Sequence, residues 1–372
     1  MTEKKRKPDW VPPDAGDKFS TSIRSGVTDK NSNTSRDSGS YPRITDLSLD
    51  DYQAGVLACD RAILARAITL IESDLPEHIP LARELTQRLY PASGNSIRVG
   101  ITGVPGSGKS TFIEALGSLL LEQGHKMAVL AVDPSSNRTR GSILGDKTRM
   151  EKLARNPQCF IRPSPSGGTL GGVSRKTRET ILLCEAAGYD IVLVETIGVG
   201  QSEIAVRALV DFFLLLTLTG AGDELQGFKK GVMELADALL VHKADGENRK
   251  PAASVRSDYE RVLHYFAPAT PGWQTPVQLA SSLEGTGISE VWQVIQQFHN
   301  TTTTSGVFQQ RRREQLRDWL HSQLQEQLLQ EFHHHPQVEP QLLELEQAVM
   351  SGDLSVSAAA DRLLKAFRDD EQ

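Results

Sequence analysis

The chain is poor in cysteine and in long apolar runs. Its three cysteines, Cys59, Cys159 and Cys184, lie far apart with no C-x-x-C spacing, which argues against a disulfide framework and against a zinc knuckle. Such usage suits a reducing cytoplasm. The strongest apolar stretches, 191–194 and 212–218, are strand-length and fall well short of the ~18 residues of a membrane-spanning helix. The first residues lack the apolar core of a signal peptide, and Asp9 and Asp14 speak against a transit peptide. A large excess of either charge is missing too. A formal net charge of −6 gives no bulk attraction to nucleic acid or to an anionic membrane, so the expected partners are ligands and proteins.

What is present is length. A chain of 372 residues suits one α/β domain of about 200 to 250 residues with helical additions. Residues 1–45 are rich in Lys, Asp, Ser, Thr, Asn, Gly and Pro and carry few large apolar side chains to offset ordering entropy, so a disordered polar tail is expected. Its Lys4-Lys5-Arg6-Lys7 cluster stands near Asp9, Asp14 and Asp17 and reads as a solvated charge run. From Ser48 apolar residues recur at three- and four-residue steps through Leu57, Ala58, Ile63, Leu64, Ala67, Ile68 and Ile71, then again at Leu81, Leu85 and Leu89. This predicts two helices within 46–96.

Further along, short apolar runs alternate with helical stretches: 97–101, 128–132, 160–162, 191–195, 213–218, 238–242 and 276–279. That alternation predicts an α/β domain over 97–300, a mainly parallel sheet flanked by helices. The uniformly apolar Ile191-Val192-Leu193-Val194 suits a strand covered on both faces. Residues 301–306, four threonines followed by Ser305 and Gly306, read as a hinge or break. Beyond them 307–372 reads as a C-terminal helical extension. Leu316, Trp319, Leu320, Gln323, Leu324 and Leu328 give one amphipathic helix, and Leu342, Leu345, Val349, Leu363, Leu364 and Phe367 suggest more. Such an appendage packs on the core or on a second subunit.

One motif stands out. Gly103-Val104-Pro105-Gly106-Ser107-Gly108-Lys109-Ser110 fits G-x-x-x-x-G-K-[ST], between the strand-like run 97–101 and a helix expected at 111–122. Its glycines let backbone N–H groups curl around the β- and γ-phosphates of a nucleotide, and Lys109 adds a positive charge. The Ser110 hydroxyl stands where Mg²⁺ needs a ligand, and the helix opening at Thr111 turns its N-terminus toward the phosphates.

Such a site also needs an acidic group to tether the metal and a group that senses the γ-phosphate. Asp133 closes the run 128–132 and projects at a strand's C-terminal end, where open sheets bind ligands; a helix or turn cap is the other reading. Glu195 closes the run 191–195 and leads into Thr196-Ile197-Gly198-Val199-Gly200-Gln201. This carboxylate-plus-glycine element is suited to watching a γ-phosphate through a backbone N–H, although a capped strand-to-helix turn has the same residues. Asp146 lies in the glycine-punctuated, charge-rich stretch 141–150, which reads either as a mobile switch or as a charged surface loop. The glycine-rich stretch 162–172 faces either the nucleotide or a partner.

Base reading is expected elsewhere. His242-Lys243-Ala244-Asp245 resembles the N-K-x-D of GTPases, in which the aspartate accepts two hydrogen bonds from guanine's amidine edge and the lysine stem covers the ring. Adenine cannot supply that donor pair. His242 stands where Asn is usual, and an imidazole can also donate a hydrogen bond. Ala280-Ser281-Ser282-Leu283-Glu284 resembles the S-A-x loop whose backbone N–H meets the guanine carbonyl, with Ser282 in place of Ala. A tight turn explains it almost equally well.

Taken together these blocks resemble the MeaB/ArgK-type P-loop GTPases, the methylmalonyl-CoA mutase-associated GTPases that act as chaperones for cobalamin-dependent acyl-CoA mutases. The resemblance runs from about residue 50 to 298 and rests on the 103–111 loop, on Val132-Asp133-Pro134-Ser135-Ser136, on 141–150, on 194–203, where Glu195-Thr196-Ile197-Gly198 replaces the generic D-x-x-G, and on 222–231. It implies Mg-dependent hydrolysis of GTP to GDP, with Lys109 on phosphate. Ser110, Asp133, Asp146 and Glu195 would hold or surround Mg²⁺, while Lys243 and Asp245 read guanine. A third mobile loop over 220–230 would report nucleotide state to an adenosylcobalamin-dependent mutase, and the C-terminal helices would form a homodimerisation arm. Alternatives from other classes are an ATP-dependent kinase or ATPase of the arginine/ornithine transport-associated type, for which no acceptor signature stands out, and a scaffold that binds nucleotide without significant turnover. A metallochaperone would need a Cys/His site, and the three consecutive residues His333-His334-His335 would point in different directions on a helix.

Overall fold

Seven parallel strands form the frame: β1 Ile97–Gly103, β2 Met127–Val132, β3 Cys159–Ser164, β4 Ile191–Thr196, β5 Phe212–Thr217, β6 Ala238–His242 and β7 Val277–Ala280. They lie side by side in the order β3-β2-β4-β1-β5-β6-β7. The computed structural model describes residues 47–132, 150–164, 170–196, 202–220 and 229–368. The expected tail, the switch stretch 141–149 with Asp146, Asp133, Gly198 and most of the 220–230 loop lie outside the described residues. Each of the seven apolar runs read from the sequence is a strand, and the fold is the α/β sheet of a P-loop NTPase.

The strands are apolar because both sheet faces are covered. Along β4, Val192 and Val194 enter one core and Ile191 and Leu193 the other, the two-residue alternation of a pleated strand. The first core packs Ala128, Leu130, Val132 and Phe213 against α1 Leu49–Leu57, α2 Arg61–Glu72, α3 His78–Leu89 and α6 Leu170–Ala186. The opposite core packs Val99, Ile101, Val129, Leu214 and Leu216 against α4 Lys109–Glu122 and α10 Ile288–Thr304. A smaller cluster seats α9 Arg249–Leu263 on Leu215, Leu239, Val241 and Val277. The short helices α5 Glu151–Arg155, α7 Ser202–Arg207 and α8 Lys229–Met233 complete the connections, and α11 Val307–His333, α12 Glu339–Ser351 and α13 Val356–Arg368 form the C-terminal extension.

Two local readings are corrected. The periodic run from Leu57 to Ile71 is two helices, so three α-helices precede β1. Ser48 starts α1 with a capping box: its hydroxyl accepts from the Asp51 N–H at 3.1 Å, and the Asp51 carboxylate accepts from the Ser48 N–H at 2.9 Å. The chain then turns at Cys59, in the left-handed region at φ 60°, and Asp60 caps α2 by accepting from Ala62 and Ile63 at 2.8 and 3.1 Å.

The threonine stretch is helical. Thr302 and Thr304 return their hydroxyls to the carbonyls of Phe298 and Asn300 at 2.7 and 2.8 Å, satisfying them within α10. The break contracts to Ser305 and Gly306, the latter at φ 78°.

The face by which α11 docks is polar. Arg312 clamps Asp211 with both donors, Nε to Oδ1 at 2.8 Å and Nη2 to Oδ2 at 2.7 Å, and Gln315 donates to the Val210 carbonyl at 2.9 Å. The leucine stripe Leu316, Leu320, Leu324 and Leu328 instead remains exposed, up to 59% at Leu328.

Candidate nucleotide site

The glycine-rich loop leaves β1 at its C-terminal end, between β4 and β5. Register sets its surroundings: Ile101 lies opposite Glu195 of β4, and Gly103 opposite Leu216 of β5. Gly103 has φ 154°, and a Cβ there would come 2.4 Å from the Leu216 carbonyl oxygen, so only glycine lets the chain turn this close to β5. The turn closes with the Ser107 N–H donating to the Val104 carbonyl at 3.1 Å. Gly106 and Gly108 follow at φ 78° and 85°, and α4 begins at Lys109, two residues earlier than the sequence pattern places it. Thr111 thus sits in the first turn.

Lys109 folds back over its own loop and donates to the carbonyls of Gly103 at 2.8 Å and Val104 at 3.4 Å. An ammonium carries three donors, so this cation can serve an anion as well. Burial holds it below the ordinary lysine range, while the negative charges of Glu195 and Glu203 pull the other way. One residue on, the Ser110 hydroxyl donates to Glu195 Oε1 at 3.0 Å, and Glu195 itself is buried. The motifs assign Lys109, Ser110 and Glu195 to one site, and the fold brings all three together.

The second half of the site lies at the ends of β6 and β7. The Ala244 N–H donates to the Ala280 carbonyl at 3.1 Å, joining the two loops that follow these strands. Lys243 adopts φ 58°, uncommon for a side-chain-bearing residue, and the Asn248 side-chain amide holds its carbonyl at 2.6 Å. Ser281 donates to Asp245 Oδ2 at 2.5 Å, which aims the carboxylate. His242 is buried, one ring nitrogen 2.7 Å from the Ser107 carbonyl and the other 2.7 Å from Ser282 Oγ. Leu283 points outward, 83% exposed.

The profile of the family described as methylmalonyl Co-A mutase-associated GTPase MeaB matches residues 64–337. The chain belongs to the MeaB family. Similar proteins include GTPase ArgK of Escherichia coli, 52% identical over 270 residues covering 73% of this chain and 82% of ArgK. The mitochondrial methylmalonic aciduria type A homolog of Mus musculus is 44% identical over 330 residues, 86% of this chain and 80% of the mouse protein. Among solved structures, that of a LAO/AO transport system kinase superposes with a TM-score of 0.67 at 40% identity, over 86% of this chain and 97% of its own. As a MeaB-family member the chain is a P-loop GTPase, and nucleotide binding follows from that membership.

The structure adds residues that the motifs did not single out. Glu203 of α7 is buried and its charge acts on Lys109. Thr196 donates its hydroxyl to Thr102 at 2.8 Å, tying the end of β4 to the residue before the loop. The visible signal was a threonine beside each motif, Thr102 before the glycine loop and Thr196 after Glu195. Asn248, which supports Lys243, left no such signal, because nothing local shows which carbonyl its amide meets.

Proposed function

We propose that this chain is a magnesium-dependent GTPase that protects and helps load an adenosylcobalamin-dependent acyl-CoA mutase of the methylmalonyl-CoA mutase type. The observation that carries the phosphate half is the Ser110–Glu195 contact at 3.0 Å beside Lys109. A hydroxyl and a carboxylate are the hard oxygen donors that Mg²⁺ takes. Ser110 and Glu195 fit the ion, and Asp133 and Asp146, assigned from sequence alone, would complete its surroundings. When bound, the ion supplies positive charge to the phosphoryl oxygens.

The remaining roles belong to the protein. The backbone N–H groups of 103–111 cradle the phosphates, Lys109 neutralises them, and the Gly198 N–H senses the γ-phosphate. Lys243 covers the base, and Asp245, aimed by Ser281, reads the guanine amidine edge, with Ser281, Ser282 and Leu283 lining the carbonyl side. Among the described residues none stands ready as a strong general base, so intrinsic turnover is slow and a partner raises it.

The family description and the name of the mouse relative support a mutase as that partner. The exposed leucine stripe of α11 supports a homodimer formed through 307–372. A cytoplasmic location rests on the cysteine usage, and among the described residues no helix is long and apolar enough to cross a membrane. Calorimetry with GTP, GDP and ATP, followed by phosphate release with and without an adenosylcobalamin-dependent mutase, tests the whole reading. Preference for ATP, or identical turnover with every such mutase present, would overturn it. Phosphate transfer to an added acceptor would instead support a kinase, the activity named for the similar solved structure.

A further inference from the structure

Two residues depart from the base-reading patterns, His242 in place of Asn and Ser282 in place of Ala. They lie 40 positions apart, yet they touch: His242 Nε2 is 2.7 Å from Ser282 Oγ. The other ring nitrogen, Nδ1, is 2.7 Å from the Ser107 carbonyl of the phosphate loop. A carbonyl only accepts, so Nδ1 carries the hydrogen. In the neutral ring Nε2 is then an acceptor, and Ser282 donates to it.

The environment keeps the ring neutral. Burial lowers its pKa first and the charge of Lys243 adds to this, against the Ser107 hydrogen bond and Asp245. Two further neighbours carry no charge: the Phe112 ring of α4 stands edge-on with centroids 6.0 Å apart, and Gly108 leaves the space that a Cβ would close to 2.7 Å from Nδ1.

We propose that His242 and Ser282 act as one positioning pair that couples the guanine-reading loops to the phosphate loop. One imidazole joins three segments: Ser107 in the loop before α4, the 242–245 turn that presents Asp245, and the 281–282 turn whose Ser281 aims Asp245. An asparagine at 242 could keep one of these contacts but lacks a second ring nitrogen on the far side, and an alanine at 282 has no proton to donate. Each residue therefore makes sense only with the other. This inference rests on the proposed reading of guanine by Asp245.

A double-mutant cycle on the full chain tests it, using GDP with Mg²⁺ as the probe, ADP as the control, and melting temperature to verify folding. Ser282→Ala and His242→Asn each weaken GDP binding about tenfold, the size of one lost hydrogen bond. The double variant His242→Asn/Ser282→Ala binds no more weakly than the poorer single, because the second change removes a contact already broken. Ser282→Thr keeps the hydroxyl and stays within about twofold of the parent, which a purely steric role for Ser282 would not allow. A Ser282→Ala variant with parental affinity, or a double variant weakened by the product of the two singles, overturns the pair while leaving guanine reading in place. A parent protein that binds ADP as well as GDP overturns the guanine reading and the pair together.

Discussion

Ser110 and Glu195 stand 85 positions apart, and the Ser110 hydroxyl donates to Glu195 Oε1 at 3.0 Å. The contact exists because β1 and β4 are paired with Ile101 opposite Glu195. If these two oxygens hold the metal, Ser110→Ala and Glu195→Gln should bind GDP like the parent in EDTA, yet lose roughly tenfold or more of the gain that Mg²⁺ confers. Titrating Mg²⁺ at constant GDP measures this, and a parental response in both variants would remove the pair from the metal site.

Lys109 is a cation under a desolvation penalty that the charges of Glu195 and Glu203 only partly offset. Lys109→Met should lower GTP affinity by about a hundredfold, the scale of a charge-assisted phosphate contact. It should leave the melting temperature unchanged or slightly raised. Loss of folding in this variant would mean that the ammonium is structural instead.

In the proposed site Asp245 would present acceptors to the two donors of guanine. Asp245→Asn turns one of those acceptors into a donor, so GTP should weaken by about 10²-fold while ATP binding stays where it was. A parallel loss of both nucleotides would show that Asp245 supports the loop and does not read the base.

Glu179 of α6 offers a stability test away from the nucleotide. Burial pushes its carboxyl up to about 7, with Glu326 adding to the rise and Arg175, Lys176 and Arg83 opposing it. A folded-state value raised above the usual 4.5 means that the folded form favours the proton. Stability from this group is full below about pH 4.5 and is lost as pH climbs through about 7. Glu179→Gln removes that loss, so the variant should be more stable than the parent at about pH 8 by about 1–2 kcal/mol, with the gap shrinking at about pH 5. Urea unfolding at the two pH values reads the difference, and an equal gap at both would exclude Glu179 as its source.

The exposed stripe on α11 predicts association. Leu320 and Leu324 are 58% and 47% exposed, and if the proposed dimer forms through them the parent should scatter light as a dimer and a Leu320→Glu/Leu324→Glu variant as a monomer, with GDP affinity within about twofold. A parental mass for this variant would place the dimer contact elsewhere.

Much of the fold was legible. The strands stood out as short apolar runs alternating with helical stretches, most plainly β2, β5, β6 and the first four residues of β4, which are buried on both faces. The glycine loop was legible for a related reason: a Cβ at Gly103 would come 2.4 Å from the Leu216 carbonyl oxygen, and only one residue type fits. The break between α1 and α2 was hidden because apolar periodicity continues across Cys59, and the capping carboxylate of Asp60 was the signal that should have ended the first helix. The threonine stretch misled in the opposite sense, since a polar run of hydroxyls reads as a break until their i−4 carbonyls are placed. The docking face of α11 was equally hidden, because Arg311 and Arg312 show their purpose only beside Asp211 and Asp237.

By itself the sequence determined what is local: strand identity, the loop that can turn beneath a phosphate, the order of the motifs, and through them the family. Only the tertiary structure decided which of those motifs meet. Apolar strands resemble one another, and nothing in the run 191–195 states that it lies between β2 and β1. That choice is made by helices packing on both faces, and it fixes the register that brings Glu195 to Ser110. The same holds for His242 and Ser282. Each alone is a departure from a pattern, and the side-by-side pairing of β6 and β7, His242 opposite Ala280, makes them partners by bringing two loop ends within one hydrogen bond.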